Sequence, residues 1–398
     1  MQLSCYLMPQ PLERRVRGIQ LNGLIGEREM RVSCSRLFWL VVFGSAWLAA
    51  GWLNPAIAAD AKGQDNATPS AVEGEIQFTQ PQAPCPPEPA KDECPTTFGP
   101  IITDTAIPIE KGKFAIQPTF GMGFTTGNFS PSWKRTTAGG DYKSFGMDLK
   151  FTYGLWNNLE VFVVIPFVQN WAKDVNNLGP NGERSASFGG IGDVNLTFKY
   201  RLVEETETRP TVTALFATGF PTGHFKHFNP GRLGTDQIGG GAFAFTTGLN
   251  MSKYVKPFVL YGNLWYTMQT AFSGREDRSS LVAAFDEEGV PTGELEEGDP
   301  VATKFRNYPR DIITVNLAAE YPITGKWVAL LELTSSWEGG RLFGHKANVA
   351  PASLLSVMPG IEYMATEKFS LALGVNVDLV GKNTSVNLTP LLSMVYAF

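Results

Sequence analysis

From residue 111 to the final Phe398 the chain alternates apolar and polar side chains, and nothing else in it narrows the possible folds as much. Between 142 and 155, Phe145, Met147, Leu149, Phe151, Tyr153 and Leu155 alternate with Gly146, Asp148, Lys150, Thr152 and Gly154. Val194, Leu196, Phe198, Tyr200 and Leu202 repeat the pattern against Asn195, Thr197, Lys199 and Arg201, and so does the stretch 369–380. A period of two puts successive side chains on opposite faces of an extended strand. Read this way, the sequence predicts twelve strands, near 113–126, 142–155, 159–169, 190–203, 210–222, 239–251, 256–270, 310–322, 326–339, 351–364, 369–380 and 384–398. The fold class is all-β.

The connections say how such strands are arranged. Tight turns at Trp156-Asn157-Asn158, Ser252 to Val255, Thr324-Gly325 and Ala365-Thr366-Glu367 take turns with long polar segments at 127–141, 170–189, 223–238, 271–309 and 340–350. Short turns on one side and long loops on the other belong to a transmembrane barrel. Gly381-Lys382-Asn383 departs from this, being short on the long-loop side. Strands of 11 to 15 residues also exceed the usual five or six of a globular sheet and suit a tilted path through hydrocarbon. No backbone group can stay unpaired in lipid, so the sheet has to close. We therefore expect an antiparallel up-and-down β-barrel of about twelve strands over 111–398, with outer-membrane lipid around it and both termini on the periplasmic side.

The last strand sets Leu388, Leu392, Met394, Tyr396 and Phe398 on one face against Ser385, Asn387, Thr389 and Ser393. This resembles the C-terminal signature of outer-membrane barrels, which implies Tyr396 and Phe398 as a signal read by the barrel-assembly machinery. Trp156, Tyr254, Tyr321, Trp327, Tyr363 and Phe369 gather at the short turns, Trp171, Phe220 and Trp337 at the long loops, as interfacial girdles do.

The N-terminal region reads differently. Arg31 and Arg36 precede an apolar run from Leu37 to Leu53, followed by Ala56-Ile57-Ala58-Ala59. That order makes residues 1–58 a signal peptide, with Met30 as an alternative start, and implies export to a Gram-negative envelope. Residues 59–110 read as a Pro-rich periplasmic linker: Pro81, Pro84, Pro86, Pro87, Pro89, Pro95 and Pro100 forbid regular helix and favour solvated chain, not a packed plug. Cys85 and Cys94 lie there, and an oxidising compartment favours a small disulfide loop. The formal net charge of −5 offers nucleic acid no basic footprint.

Catalysis finds little support. His224, His227 and His345 all fall in long loops, no Gly-x-Ser-x-Gly elbow occurs, and Gly190-Ile191-Gly192-Asp193 lacks the third glycine and following helix of a dinucleotide site. The expectation is no enzyme, no cofactor and no metal, with the acidic loop 271–309 as solvated outer chain. With the apolar face toward lipid, the lumen receives Asp148, Lys150, Glu160, Lys199, Arg201, Glu320, Glu332, Glu362 and Asp378. Such charges either pair as a structural plug or set selectivity, and the sequence leaves both open. Phe162, Val164, Leu215, Tyr261, Trp265, Val328, Leu330 and Leu391 face inward too, a mixture compatible with a moderately apolar cargo.

The run GIGDVNLTFKYRL from Gly190, with ALFATGFPTG ending at Gly223, resembles the outer-membrane family named for the MetA pathway of phenol degradation. The likeness spans most of 111–398 and rests chiefly on Gly190 to Asp193 and Pro221-Thr222-Gly223, which are turn motifs. It implies uptake of aromatic or hydrophobic compounds and brings no catalytic residues. The expected function is an outer-membrane channel or passive transporter for small hydrophobic solutes. The alternative is a structural or adhesive barrel with a blocked lumen and partner-binding loops.

Overall fold

The computed structural model describes residues 97–175, 184–285 and 291–398, with 276–285 and 291–302 described by backbone alone. The expected signal peptide and the Cys85–Cys94 pair lie outside the described residues. In chain order the strands are β1 (Phe114–Phe129), β2 (Arg135–Thr136), β3 (Asp141–Trp156), β4 (Leu159–Lys173), β5 (Ala186–Ile191), β6 (Val194–Val203), β7 (Thr211–Phe220), β8 (His227–Phe228), β9 (Ala244–Val255) and β10 (Phe258–Gln269). They continue as β11 (Phe272–Phe285), β12 (Pro291–Asn307), β13 (Ile312–Pro322), β14 (Trp327–Glu338), β15 (Ser353–Thr366), β16 (Phe369–Lys382) and β17 (Thr384–Ala397).

Twelve of these close into a barrel in the order β1, β3, β4, β6, β7, β9, β10, β13, β14, β15, β16, β17, each antiparallel to the next. The ring is sealed by β17 against β1, from Ala115 opposite Ala397 to Phe129 opposite Thr384, and by the Phe398 amide donating to Phe114 O at 2.8 Å. The twelve strands agree with the expected ones to within a few residues, save that β9 is displaced: it starts at Ala244 because Gly239, Gly240 and Gly241 belong to the preceding loop, and it runs on through Ser252 to Val255, so the tight turn expected there falls at Lys256-Pro257 instead.

The burial pattern is that of a membrane barrel turned inside out relative to a globular protein. Leu264 and Leu317 on the outer wall are 53% exposed, while Lys199, Glu320 and Glu332 on the inner wall are 1%, 0% and 0% exposed. In hydrocarbon only the outward residues need be apolar, so one strand carries both environments. At the short-turn rim Trp327 tilts against Tyr363 at 4.6 Å, and Tyr396 meets Phe398 edge-on at 4.7 Å.

The loops are more structured than the sequence suggests. In the 271–309 region, expected as solvated chain, β11 and β12 form a long antiparallel hairpin on which β8 adds in parallel. Its ladder is backbone pairing without a clear apolar face, so period two gave no sign of it. The fourth barrel strand is split into β5 and β6 at Gly192-Asp193, both pairing with β4. The largest departure is at the N-terminal side: residues 97–110, assigned from sequence to the linker, lie inside the barrel.

Candidate functional site

Residues 97–110 cross the lumen at its short-turn end as irregular chain, and inward-facing polar side chains take up their backbone groups. The Thr97 hydroxyl donates to Glu362 Oε2 at 2.6 Å and lies 3.1 Å from Glu320 Oε1. Glu332 accepts from three successive amides: Ile101 to Oε1 at 2.8 Å, Ile102 to Oε2 at 3.1 Å and Thr103 to Oε2 at 2.6 Å. Further on, the Asp104 amide donates to Asn263 Oδ1 at 2.9 Å, the Ala106 amide to Ser252 Oγ at 2.8 Å and the Ile109 amide to Glu160 Oε2 at 2.7 Å. The chain then bends at Lys111-Gly112 over the short-turn rim into β1, with the Lys111 amide 3.4 Å from Asn157 Oδ1. Gly154 permits this passage, because a side chain there would run into the Glu110 carbonyl.

A buried ion cluster fixes the middle of the segment. Lys199 Nζ lies 2.7 Å from Glu160 Oε1 and 3.4 Å from Asp104 Oδ2, and donates to Thr105 O at 2.9 Å. Lys150 Nζ lies 3.5 Å from Asp104 Oδ1 and over the Phe162 ring at 4.1 Å from its centroid. Asn250 Nδ2 completes the Asp104 carboxylate at 2.8 Å. Charges of both signs thus meet and are hydrogen-bonded, which a buried ionic cluster requires to be tolerated.

The apolar lumen residues have the same employment. Ile101 packs with Val328, Leu330, Met358, Ala372 and Leu391 in one buried cluster. Tyr261 donates to Glu320 Oε2 at 2.9 Å, and Trp265 Nε1 to Asn250 Oδ1 at 2.7 Å. Val328, Leu330 and Leu391 therefore seat the segment, a use the sequence reading did not foresee. The departure from the linker expectation has a physical cause: after Pro100 the prolines thin out, and Ile101, Ile102, Ile107 and Ile109 break an otherwise polar run. That cluster of isoleucines was the available signal.

On the long-loop side of the segment lies a cavity of about 210 Å³. Asp148, Asn170, Asp193, Asn376, Asp378 and Asn387 are among its lining, with Gly121, Gly123 and Gly146 leaving the space and Gly234 and Gln237 closing it from the mouth. These last two belong to a loop, 223–240, folded inward by a clasp. Asp193 accepts the Gly223 amide at 2.9 Å and the Gly240 amide at 2.7 Å, while the Thr222 hydroxyl donates to Gly192 O at 2.7 Å. Gly223 and Gly239 approach so closely that a side chain on either would meet the other's backbone. Ile238 is buried against Gly190, and Asn170 Nδ2 donates to Thr235 O at 3.0 Å. The two turn motifs singled out in the sequence, Gly190 to Asp193 and Pro221 to Gly223, are halves of this one clasp.

Other singled-out residues lie elsewhere. Arg201 sits at the short-turn rim beside Glu204 at 3.4 Å and away from the cavity. Asp378 lines the cavity but is held by Ser356 Oγ at 2.7 Å and the Asn387 amide at 2.8 Å. His224 Nδ1 is 2.8 Å from Asp236 O, and its ring stands 5.0 Å from Phe188. It belongs to an aromatic cluster on the outer loops in which Phe228 stacks on Phe305 at 5.9 Å and Phe225 meets Phe272 edge-on at 6.0 Å.

No family model and no curated protein matches the chain. Among solved structures, the COG4313 outer membrane channel from Pseudomonas putida F1 is similar over 76% of this chain and 100% of its own, at 14% identity and a TM-score of 0.54. The toluene transporter TbuX of Ralstonia pickettii aligns at 9% identity over 72% of this chain and 90% of its own, with a TM-score of 0.37, too low to bear on the reading. At 14% identity the first likeness establishes the fold alone: this chain has the fold of an outer-membrane β-barrel.

Proposed function

We propose that this chain is an outer-membrane channel or passive transporter for small hydrophobic or aromatic solutes, closed at rest by residues 97–110. The observation that carries the reading is a sealed twelve-strand barrel whose cavity lies between an unstranded N-terminal segment and an inturned loop. A chain without strand pairing can leave a lumen while the wall stays closed, whereas no barrel strand can. The aromatic cluster around Phe228 and Phe305 at the mouth supports capture of an aromatic or apolar solute. A neighbour in fold described as an outer membrane channel, and the family resemblance of the two clasp motifs, point the same way. Location in a Gram-negative outer membrane, with the short-turn side and both termini periplasmic, belongs to this proposal.

The occluding segment equally favours a second reading, a blocked barrel whose loops bind a partner. Conductance decides. Glu332→Ala removes the acceptor of three backbone amides, each charge-assisted bond being worth about 1.5–3 kcal/mol. Planar bilayers should show rare, small openings for the native protein and frequent, larger ones for E332A, with E332A liposomes more permeable to phenol. Silence from both proteins would remove the channel reading.

A further inference from the structure

We infer that the outward side of the long-loop rim, where segments 303–310 and 339–350 meet, is a docking surface for phosphate groups of the lipid that surrounds the barrel. Neither segment contains an acidic residue, and together they carry Lys304, Arg306, Arg310, Arg341 and Lys346 in a chain whose formal net charge is −5. Part of this charge converges on one ring. The guanidinium carbons of Arg306 and Arg341 stand 5.6 Å and 5.8 Å from the centroid of Tyr308, and the His345 ring lies 4.9 Å from it. Asn348 ties the two segments together: its Oδ1 accepts the Tyr308 amide and its Nδ2 donates to Arg306 O, both at 2.8 Å. Arg341 Nη1 adds a bond to Pro309 O at 2.7 Å. The flanking acids have other employment, Asp311 with the Tyr266 hydroxyl and the Leu342 amide, Glu338 with the Ala352 amide.

The patch faces lipid and not the pore. Tyr266 stands directly opposite Ile313, an exposed residue of the outer wall, and Asp311 links its hydroxyl at 2.8 Å to the Leu342 amide at 2.6 Å. Segment 339–350 is thereby drawn down over the outward side of β10 and β13, where Phe343 is 59% exposed and Trp337 belongs to the outer girdle. On β12, Phe305 turns to the mouth cluster with Phe228 and Phe272, so by period two Lys304 and Arg306 turn the other way. None of Arg306, Arg341 and Lys346 lines the lumen cavity. An exposed ring beside basic side chains at girdle height suits a lipid surface: the ring enters the acyl boundary while guanidinium groups pair with phosphate. Charge sorts the same way along the β11–β12 hairpin. Its base carries Arg275, Lys304 and Arg306, whereas Glu294, Glu296, Glu297 and Asp299 lie nearer its tip. An anionic lipid surface attracts the first group and repels the second.

The inference takes its lipid from the outer-membrane location in the proposed function, but its test does not depend on that reading. Purified full-length protein in a neutral detergent is titrated with lipid A, a diphosphorylated disaccharide lipid, and with the same lipid stripped of its phosphates, and bound lipid is counted by native mass spectrometry. The diphosphorylated lipid should bind saturably, the stripped one at least about tenfold more weakly. Arg306→Ala combined with Lys346→Ala should weaken the diphosphorylated lipid by at least about tenfold, and Arg306→Lys combined with Lys346→Arg should keep most of the affinity. Lys111→Ala combined with Lys326→Ala removes the same charge at the opposite rim and should leave binding unchanged. Equal binding of the two lipids, or full affinity in R306A/K346A, would overturn the surface. So would displacement of the lipid by equimolar inorganic pyrophosphate, which would mark a site for free anions. The comparison of lipids needs no variant, so it holds even where R306A/K346A fails to fold. Phosphate-dependent lipid binding without conductance would sink the channel and keep the surface. Conductance without such binding would do the reverse.

Discussion

At the residue scale, the inner wall consists of ionisable side chains whose worth lies in what they hold. Lys199 is the clearest case, since a single ammonium bridges β6 to β4 through Glu160 and to the lumen segment through Asp104 and the Thr105 carbonyl. Lys199→Met keeps the bulk of the side chain and removes its charge, leaving two carboxylates in a low-dielectric space. Breaking a buried pair in this way costs about 3–5 kcal/mol. A fall of that order should appear in denaturant unfolding of the folded barrel, together with more frequent opening in bilayers. The face on which Lys199 lies was legible from the alternation Val194 to Leu202, since period two settles which side chains turn inward. Its partners were not, because Asp104 is 95 residues away and irregular chain carries no period.

Elements show where local pattern suffices and where it fails. Every barrel strand was readable, because a half-lipid, half-lumen strand writes its environment into alternate residues. The lumen segment and the 223–240 loop were not, since their backbone amides are taken up by side chains far away in the sequence, and the β11–β12 hairpin was not, since its ladder lacks a clear apolar face. In the inturned loop, Asp236 illustrates the consequence. Its Oδ2 accepts the Asn229 amide at 2.8 Å, yet Oδ1 has no partner, and burial lifts its carboxyl above the usual range despite that bond. A carboxyl whose pKa is raised by folding favours the folded loop while it is protonated, and that contribution is lost as pH rises through the raised value. Limited proteolysis within 223–240 should therefore quicken as pH rises from about 4 upward. Asp236→Asn should flatten the profile, and an unchanged pH dependence in that variant would show that another group controls the loop.

On the scale of the whole molecule, closure by β1 and β17 makes a single cooperative wall. A sealed sheet has no edge at which unfolding can start cheaply, and detergent alone leaves its backbone pairs intact. The folded protein should migrate differently before and after boiling in detergent gels. Removal of the terminal Phe398, whose amide bonds Phe114 O and whose ring lies 5.6 Å from that of Phe114, should lower the temperature at which the two bands interconvert. An identical transition in the truncated chain would show that the seam gains nothing from its last residue.

By itself, the sequence determined that the chain is a transmembrane barrel, how many strands it has, and which residues face lipid. Those properties are local: hydrocarbon on one side and polar lumen on the other impose a choice at each residue, and the choice survives as a period of two. Only the tertiary structure decided what fills the lumen. The segment 97–110 and the clasp joining Gly192-Asp193 to Thr222-Gly223 both depend on groups far apart in the chain meeting in one small volume. Such meetings follow from barrel closure, and no periodicity records them.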